Sequence, residues 1–196
     1  MSDLFLTQIE QSAWTQLSES SRDPQAAFRY LTLCSVDGKS RPQARTVVLR
    51  EVDTDARLLE FHTDIRSPKW QELTANPNAS VLGYCPVTRI QLRLQGEVEL
   101  FGHGTELANS AWDALSYWTR TTYMGGPPGD EKALGTPEDV PAPNSVSEAE
   151  GQKVFGVVRF KAQSLDWFQL KQQDNKRALF DYAPSGALTE RCLINP

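Results

Sequence analysis

Cysteine is scarce: Cys34, Cys85 and Cys192 are odd in number and far apart. That excludes a disulfide framework and a cysteine metal centre. Histidine is scarcer still, and His62 and His103 lack the paired spacing of metal ligands. No G-x-S-x-G elbow, G-x-G-x-x-G turn or Walker-type loop occurs, so the common hydrolase, dinucleotide and triphosphate fingerprints are absent. No apolar run approaches the roughly 20 residues that span a bilayer. The opening MSDLFLTQIEQSAWTQL is broken by Asp3, Gln8 and Glu10 and lacks a basic start, so a secretory leader is not expected. Net charge is −5, which excludes the broad basic footprint of a nucleic-acid binder. The expectation is a cytoplasmic protein with no nucleic-acid and no membrane partner. With so few acid–base groups, an enzyme built on this chain needs a cofactor that carries the hard chemistry.

What is present is enough for one sizeable core: 196 residues, 39% of them hydrophobic, fit a single domain over 1–196. Leu6, Ile9, Ala13 and Leu17 recur at helical spacing, predicting a helix over 3–18. Strands are expected at 28–36, 44–52 and 57–62, the first two joined by an Asp37-Gly38 turn. SPKWQELTANP then reads as a helix with Ser67 as N-cap, Pro68 at the first position and Asn76-Pro77 as the stop. Strands 79–85 and 89–101 follow, joined at Pro86-Val87, and the motif-bearing core is 25–100. A second helix is predicted over 105–120, and the Gly-, Pro- and acid-rich stretch 124–150 reads as a flexible loop. C-terminal strands occupy 154–194, at 154–162, 165–170, 177–182 and 188–194. This order gives a mainly β fold: a closed or partly closed antiparallel barrel with peripheral helices.

Two stretches carry charge out of proportion to their surroundings. In FHTDIRSPK, residues 61–69, Arg66, Ser67 and Lys69 gather where a strand ends and a helix begins. Cations at a helix start are unfavourable unless an anion neutralises them, because the first N–H groups already carry positive partial charge. The placement therefore asks for an anionic ligand, against the plain alternative of a solvated turn. In ARTVVLREV, Arg45, Val47 and Leu49 share one face, and Thr46, Val48 and Arg50 the other. These arginines read either as solvent ends of a half-buried strand or as neighbours of an anion. The alternation in TRIQLRLQG places Gln91 on a polar face, whose default is solvent.

The order RTVVLR (45–50), FHTDIRSPK (61–69), NP (76–77), TRIQLRLQG (88–96) resembles the FMN-binding core of the pyridoxamine 5'-phosphate oxidase family. That family carries, in this order, an R-x-V-x-L-K/R strand, an aromatic-Thr pair, an S-x-K segment and a Gln before a Gly. The resemblance covers about residues 25–100 well and 150–196 more loosely. It implies a mainly β, antiparallel Greek-key split barrel of the FMN-binding type with peripheral helices, a homodimer and one FMN at each of two sites across the subunit interface. By position it implies that Arg45 and Lys69 hold the FMN phosphate with Ser67 nearby, and that Arg66 replaces the family's missing basic neighbour, which is Pro68 here. Thr46, Val47, Val48, Leu49 and Arg50 would run along the flavin, His62 and Thr63 would fill the aromatic-Thr positions, and Gln91 would reach over from the second subunit.

The family's C-terminal Arg-Leu-His segment, which holds the vitamin's phosphate, is absent from QLKQQDNKRALF. Trp112, Ser116, Arg120 and Arg177 are the residues the resemblance offers for a small-molecule substrate. The resulting expectation is an FMN-dependent oxidoreductase of unknown substrate, closer to the family's uncharacterised relatives than to the named oxidase. Its rival is a flavin- or haem-binding protein that sequesters its ligand without turnover.

Overall fold

Alternate burial makes the strands. Along β1 (Tyr30–Val36) every second residue turns inward, and β4 (Asn78–Cys85) and β5 (Ile90–Phe101) repeat the pattern. The computed structural model describes residues 2–129 and 148–196. Between β1 and β4 lie β2 (Pro42–Asp53), β3 (Leu58–Asp64) and α2 (Pro68–Ala75), while α1 (Ser2–Ser20) precedes them. After β5 come α3 (Glu106–Asp113), α4 (Tyr117–Thr121), α5 (Glu148–Val154), β6 (Phe155–Gln169), β7 (Lys176–Tyr182) and β8 (Leu188–Ile194).

The strand order is β3-β2-β1-β4-β5-β6-β7-β8, and a β3–β6 pairing closes the first six into an antiparallel ring. Placing β4 beside β1 is a Greek-key return. The fold is thus the mainly β split barrel with peripheral helices that the sequence implied. Closure is uneven. β3 and β6 pair from Leu58–Lys161 to Asp64–Phe155, whereas β2 and β3 pair only from Asp53–Leu58 to Leu49–Phe61. Beyond Leu49, the edge of β2 that faces β3 has no strand partner among the described residues. This is the split.

Leu31, Leu33, Val81, Leu92, Leu94 and Phe160 fill the ring, and α1 adds Leu6, Ile9, Ala13, Trp14 and Leu17 to the same core. A polar lock holds α1. Glu10 pairs with Arg57 at 2.7 Å, and Arg57 lies 5.0 Å from the Trp14 and Tyr182 ring centres. The Tyr182 hydroxyl accepts from Trp14 Nε1 at 2.8 Å and donates to Glu10 at 3.2 Å. A second, smaller core joins Trp112, Tyr123, Phe155 and Val157, roofing the outer side of β6 with α3 and the residues after α4.

Three expectations change. The helix over 105–120 is two helices, because Ala114 ends α3 and Ser116 caps a new one, its Oγ accepting from Thr119 N at 3.3 Å. The strands expected at 154–162 and 165–170 are one continuous β6. A register shift pairs Gln95 with Ser164 but Gly96 with Ala162, so Gln163 is accommodated as a bulge rather than a break. Gly96 allows it, since a Cβ there would sit 1.9 Å from Lys161 O. The loop expected over 124–150 lies outside the described residues for 130–147, and its last three residues already belong to α5.

Candidate functional site

The turn after β3 is tight: Ser67 N donates to Asp64 O at 3.1 Å and Trp70 N to Ser67 O at 3.0 Å. Pro68, with no N–H to satisfy, starts α2. Leu73 is buried, and Trp70 packs over Gly156, where a Cβ would meet the indole at 2.5 Å. α2 is thereby fixed against β6. Ser67 sits at the N-cap position, but its hydroxyl donates back to Asp64 O at 2.6 Å and caps nothing.

Lys69 Nζ donates to Thr63 Oγ1 at 2.6 Å and to Ser67 Oγ at 3.3 Å. The ammonium is solvated by hydroxyls, with no carboxylate at ion-pair distance among the described residues. Burial, then the Arg45 charge, lowers the Lys69 pKa, and Asp64 and Glu72 oppose the shift. Arg45 reaches the same region from β2. Its Nη2 donates to Glu72 Oε2 at 2.7 Å, and its Nη1 donates to Leu33 O at 3.3 Å and to the Ser35 hydroxyl. Arg66 points elsewhere: it forks onto Asp64, Nη2 to Oδ2 at 2.6 Å and Nε to Oδ1 at 3.0 Å, and donates to Gly125 O at 3.0 Å.

The structure therefore brings Arg45, Thr63, Ser67 and Lys69 together at one end of the ring, on either side of the split. Arg66 is beside them but committed to Asp64. Thr46, Val47 and Val48 line the unpaired edge of β2, and Leu49 marks where pairing with β3 begins. Arg50 has a buried Nε with no hydrogen-bond partner. It acts electrostatically on Arg29, whose pKa burial and Arg50 lower, and on Tyr123, which burial pushes up to about 12. His62 turns to the other side of β3. Its Nε2 lies 3.2 Å from Glu60 Oε1, its ring edges onto Phe155 at 5.0 Å, and its Nδ1 is buried without a partner.

Gln91 is reached through the strand register: Val48 faces Tyr30, Tyr84 faces Gln91, and Gln91 faces Phe168 and, beyond it, Arg177. These residues share the outer face of the sheet, where Tyr30 is 57% and Tyr84 45% exposed. Arg177 pairs with Asp166 at 2.7 Å, and Arg93 takes the same carboxylate. Trp112, Ser116 and Arg120 stand apart from the split. Trp112 belongs to the second core, Ser116 caps α4, and Arg120 binds Glu148 at 2.9 Å and Asp113 O at 2.9 Å.

Sequence reasoning missed Glu72, Ser35 and Asp64. Glu72 follows Lys69 by three residues, a helical-face spacing that could have flagged it. Arg29 and Tyr123 carried no signal.

Comparison with known proteins gives the following. The family model described as "Pyridoxamine 5'-phosphate oxidase, FMN-binding domain" matches residues 11–102. A pyridoxine/pyridoxamine 5'-phosphate oxidase from Pseudomonas putida (strain W619) is 34% identical over 86 residues, 44% of this chain and 39% of the relative. The chain thus spans about two fifths of the length of the curated bacterial relatives it first matches. The Arabidopsis thaliana pyridoxine/pyridoxamine 5'-phosphate oxidase 2 is 25% identical over 83% of both. Among solved structures, a pyridoxamine 5'-phosphate oxidase-related, FMN binding protein from Nostoc punctiforme PCC 73102 superimposes with TM-score 0.78 at 26% identity, covering 94% of this chain and 96% of that one. PhzG from Burkholderia lata 383, solved with tetrahydrophenazine-1-carboxylic acid, gives TM-score 0.70 at 18% identity, covering 95% and 90%, a likeness of fold.

Proposed function

We propose that this chain, which belongs to the pyridoxamine 5'-phosphate oxidase-like FMN-binding split-barrel family, binds FMN along the split and acts as an FMN-dependent oxidoreductase. The observation that carries this reading is the Arg45–Lys69 pair, two electrostatically coupled cations brought from β2 and α2 to the place where β2 and β3 part. The donor set fits a phosphomonoester: a guanidinium, an ammonium, the Thr63 and Ser67 hydroxyls, and the first turn of α2. An anion held there offsets the burial and like charge that disfavour the Lys69 ammonium. The unpaired edge of Thr46, Val47 and Val48 offers backbone donors and acceptors to a flat heteroaromatic, with Leu49 and Arg50 at its far end and Thr63 on the facing strand, while the His62 ring is turned away toward Phe155. FMN, when bound, supplies the two-electron chemistry. The chain's own residues bind, orient and exclude water.

The outer face bearing Tyr30, Leu82, Tyr84, Gln91 and Phe168 supports a homodimer docked there, with Gln91 reaching the flavin of the second copy. One observation favours the rival, a protein that holds flavin without turnover. Trp112, Ser116, Arg120 and Arg177 are each engaged in packing, capping or ion pairs.

Titration of apo-protein with FMN and with riboflavin tests the reading. FMN should bind at least about tenfold more tightly, as loss of a charge-assisted contact implies, and light scattering should give twice 21.9 kDa. Equal affinity for the two flavins removes the phosphate site, and a monomer with full FMN affinity removes the shared one. Anaerobic bleaching of bound flavin by candidate amines separates oxidoreductase from binder.

A further inference from the structure

Glu72 is an acid in the middle of an anion site. Its Oε2 accepts from Arg45 Nη2 at 2.7 Å and from the Ser35 hydroxyl at 2.5 Å. Ser35 is 3% exposed and in turn accepts from Arg45 Nη1. The three side chains come from β1, β2 and α2 and close a triangle in which the single serine hydrogen goes to the carboxylate. This uses up two of Arg45's nitrogens and fixes the plane of its guanidinium. Glu72 also acts on Lys69 one turn earlier, as do Arg45 and Asp64, so these charges form one electrostatic unit in which only Glu72 contacts Arg45. Asp64 is forked by Arg66, which also donates to Gly125 O.

We propose that Glu72 is the positioning and charge-setting residue of this site: it anchors Arg45 for the phosphate, and its negative charge limits how tightly a dianion is held. The inference rests on the FMN-phosphate reading above. The two roles have opposite signs. As an anchor, Glu72 strengthens binding by holding a long side chain in its productive rotamer, so that no ordering remains to be done when the ligand arrives. As a charge, it weakens binding, because Arg45, Lys69 and Glu72 together carry only one net positive charge against a phosphate dianion.

Two substitutions separate these roles. Glu72→Gln keeps an acceptor for Arg45 and Ser35 but removes the charge, and should tighten FMN about three- to tenfold. Glu72→Ala removes the anchor as well, and should weaken FMN about tenfold. Riboflavin, which lacks the phosphate, should bind all three proteins alike and reports that the rest of the site is intact. Because the second ionisation of a phosphomonoester lies near pH 6, the gain in Glu72→Gln should be larger at pH 8 than at pH 5. Should Glu72→Ala fail to fold, Ser35→Ala takes its place, with a selective loss of FMN affinity expected.

If both Glu72 variants leave the FMN-to-riboflavin ratio unchanged, or move it in the same direction, the proposal is wrong. A pH-independent gain in Glu72→Gln also overturns it. Wild-type protein with no preference for FMN over riboflavin overturns the reading beneath it, and the two failures are told apart by that one control.

Discussion

Two arginines in this molecule pair with a glutamate from a helix at the same distance, 2.7 Å, and their surroundings differ. Arg57 is closed in by the Trp14 and Tyr182 rings, and its partner Glu10 takes a further hydrogen bond from Tyr182. Among the described residues no aromatic ring stacks on Arg45 as the two rings do on Arg57. A second cation, Lys69, stands beside Arg45, and the nearest strand edge is unpaired. The Arg57 pair, enclosed by two rings, ties α1 to the turn before β3, although Arg57 Nε itself finds no partner. The Arg45 pair, with a second cation beside it at a gap in the sheet, is where we propose that the ligand phosphate is held.

The largest effect should come from breaking the closed pair. Glu10→Ala strands the Arg57 guanidinium in a buried setting, a loss of about 3–5 kcal/mol, or roughly 6–20 °C in Tm for a chain of this size. A thermal melt measures it. The ratio of FMN to riboflavin affinity should not move, and a large change in that ratio would erase the distinction between the two pairs.

Lys69→Met should do the opposite. Removing the ammonium should weaken FMN about 10- to 150-fold, while the protein becomes more stable at neutral pH. The folded chain holds the Lys69 proton less tightly than the unfolded chain does. That penalty is complete below the lowered pKa and fades as pH rises toward the ordinary lysine value, because only the unfolded state then stays protonated. Methionine removes the penalty, so its advantage should shrink in alkaline melts. A destabilised Lys69→Met protein at pH 7 would contradict the desolvation argument.

The smallest effect belongs to a third pair, in the exposed hairpin turn. The Arg41 side chain, then its backbone N–H, holds Asp37 at about 2, below its ordinary 3.8. That contribution is present above the ordinary value and is lost as pH falls through 2. Arg41→Ala should return the Asp37 titration toward its ordinary position by NMR, with Tm and FMN affinity little changed. Loss of FMN affinity there would show that charge pairs act at longer range than the comparison assumes.

Local chemistry made much of the fold legible. Pro68 fixed the start of α2, alternation fixed β1, β4 and β5, and the apolar stripe of α1 fixed its buried face. The bulge at Gln163 read as a break, because one inserted residue disrupts alternation without ending a strand. The split of the helix at Ala114 was hidden, since Ser116 in an amphipathic run looks like an ordinary polar position. At the site, Lys69 and Ser67 announced themselves by standing at a helix start. Glu72 did not, because an acid three residues after a lysine reads as a solvated helix face. Only the packing of α2 against β1 and β5 turns it inward, toward Ser35 and Arg45. The partners Glu10 and Arg57 are far apart in sequence, and nothing in either segment points to the other.

The uneven closure of the ring also orders the events of folding. Ser35, Arg45, Thr63, Ser67, Lys69 and Glu72 lie in one continuous stretch of β1, β2, β3 and α2, joined by short turns. The pairing that shuts the ring joins Leu58 to Lys161 and Asp64 to Phe155, far along the chain. Contacts of such separation carry their loop-closure entropy before they return any stabilisation. The chain's connectivity therefore favours early assembly of the end proposed to bind phosphate, with the rate of reaching the native state set by the late arrival of β6.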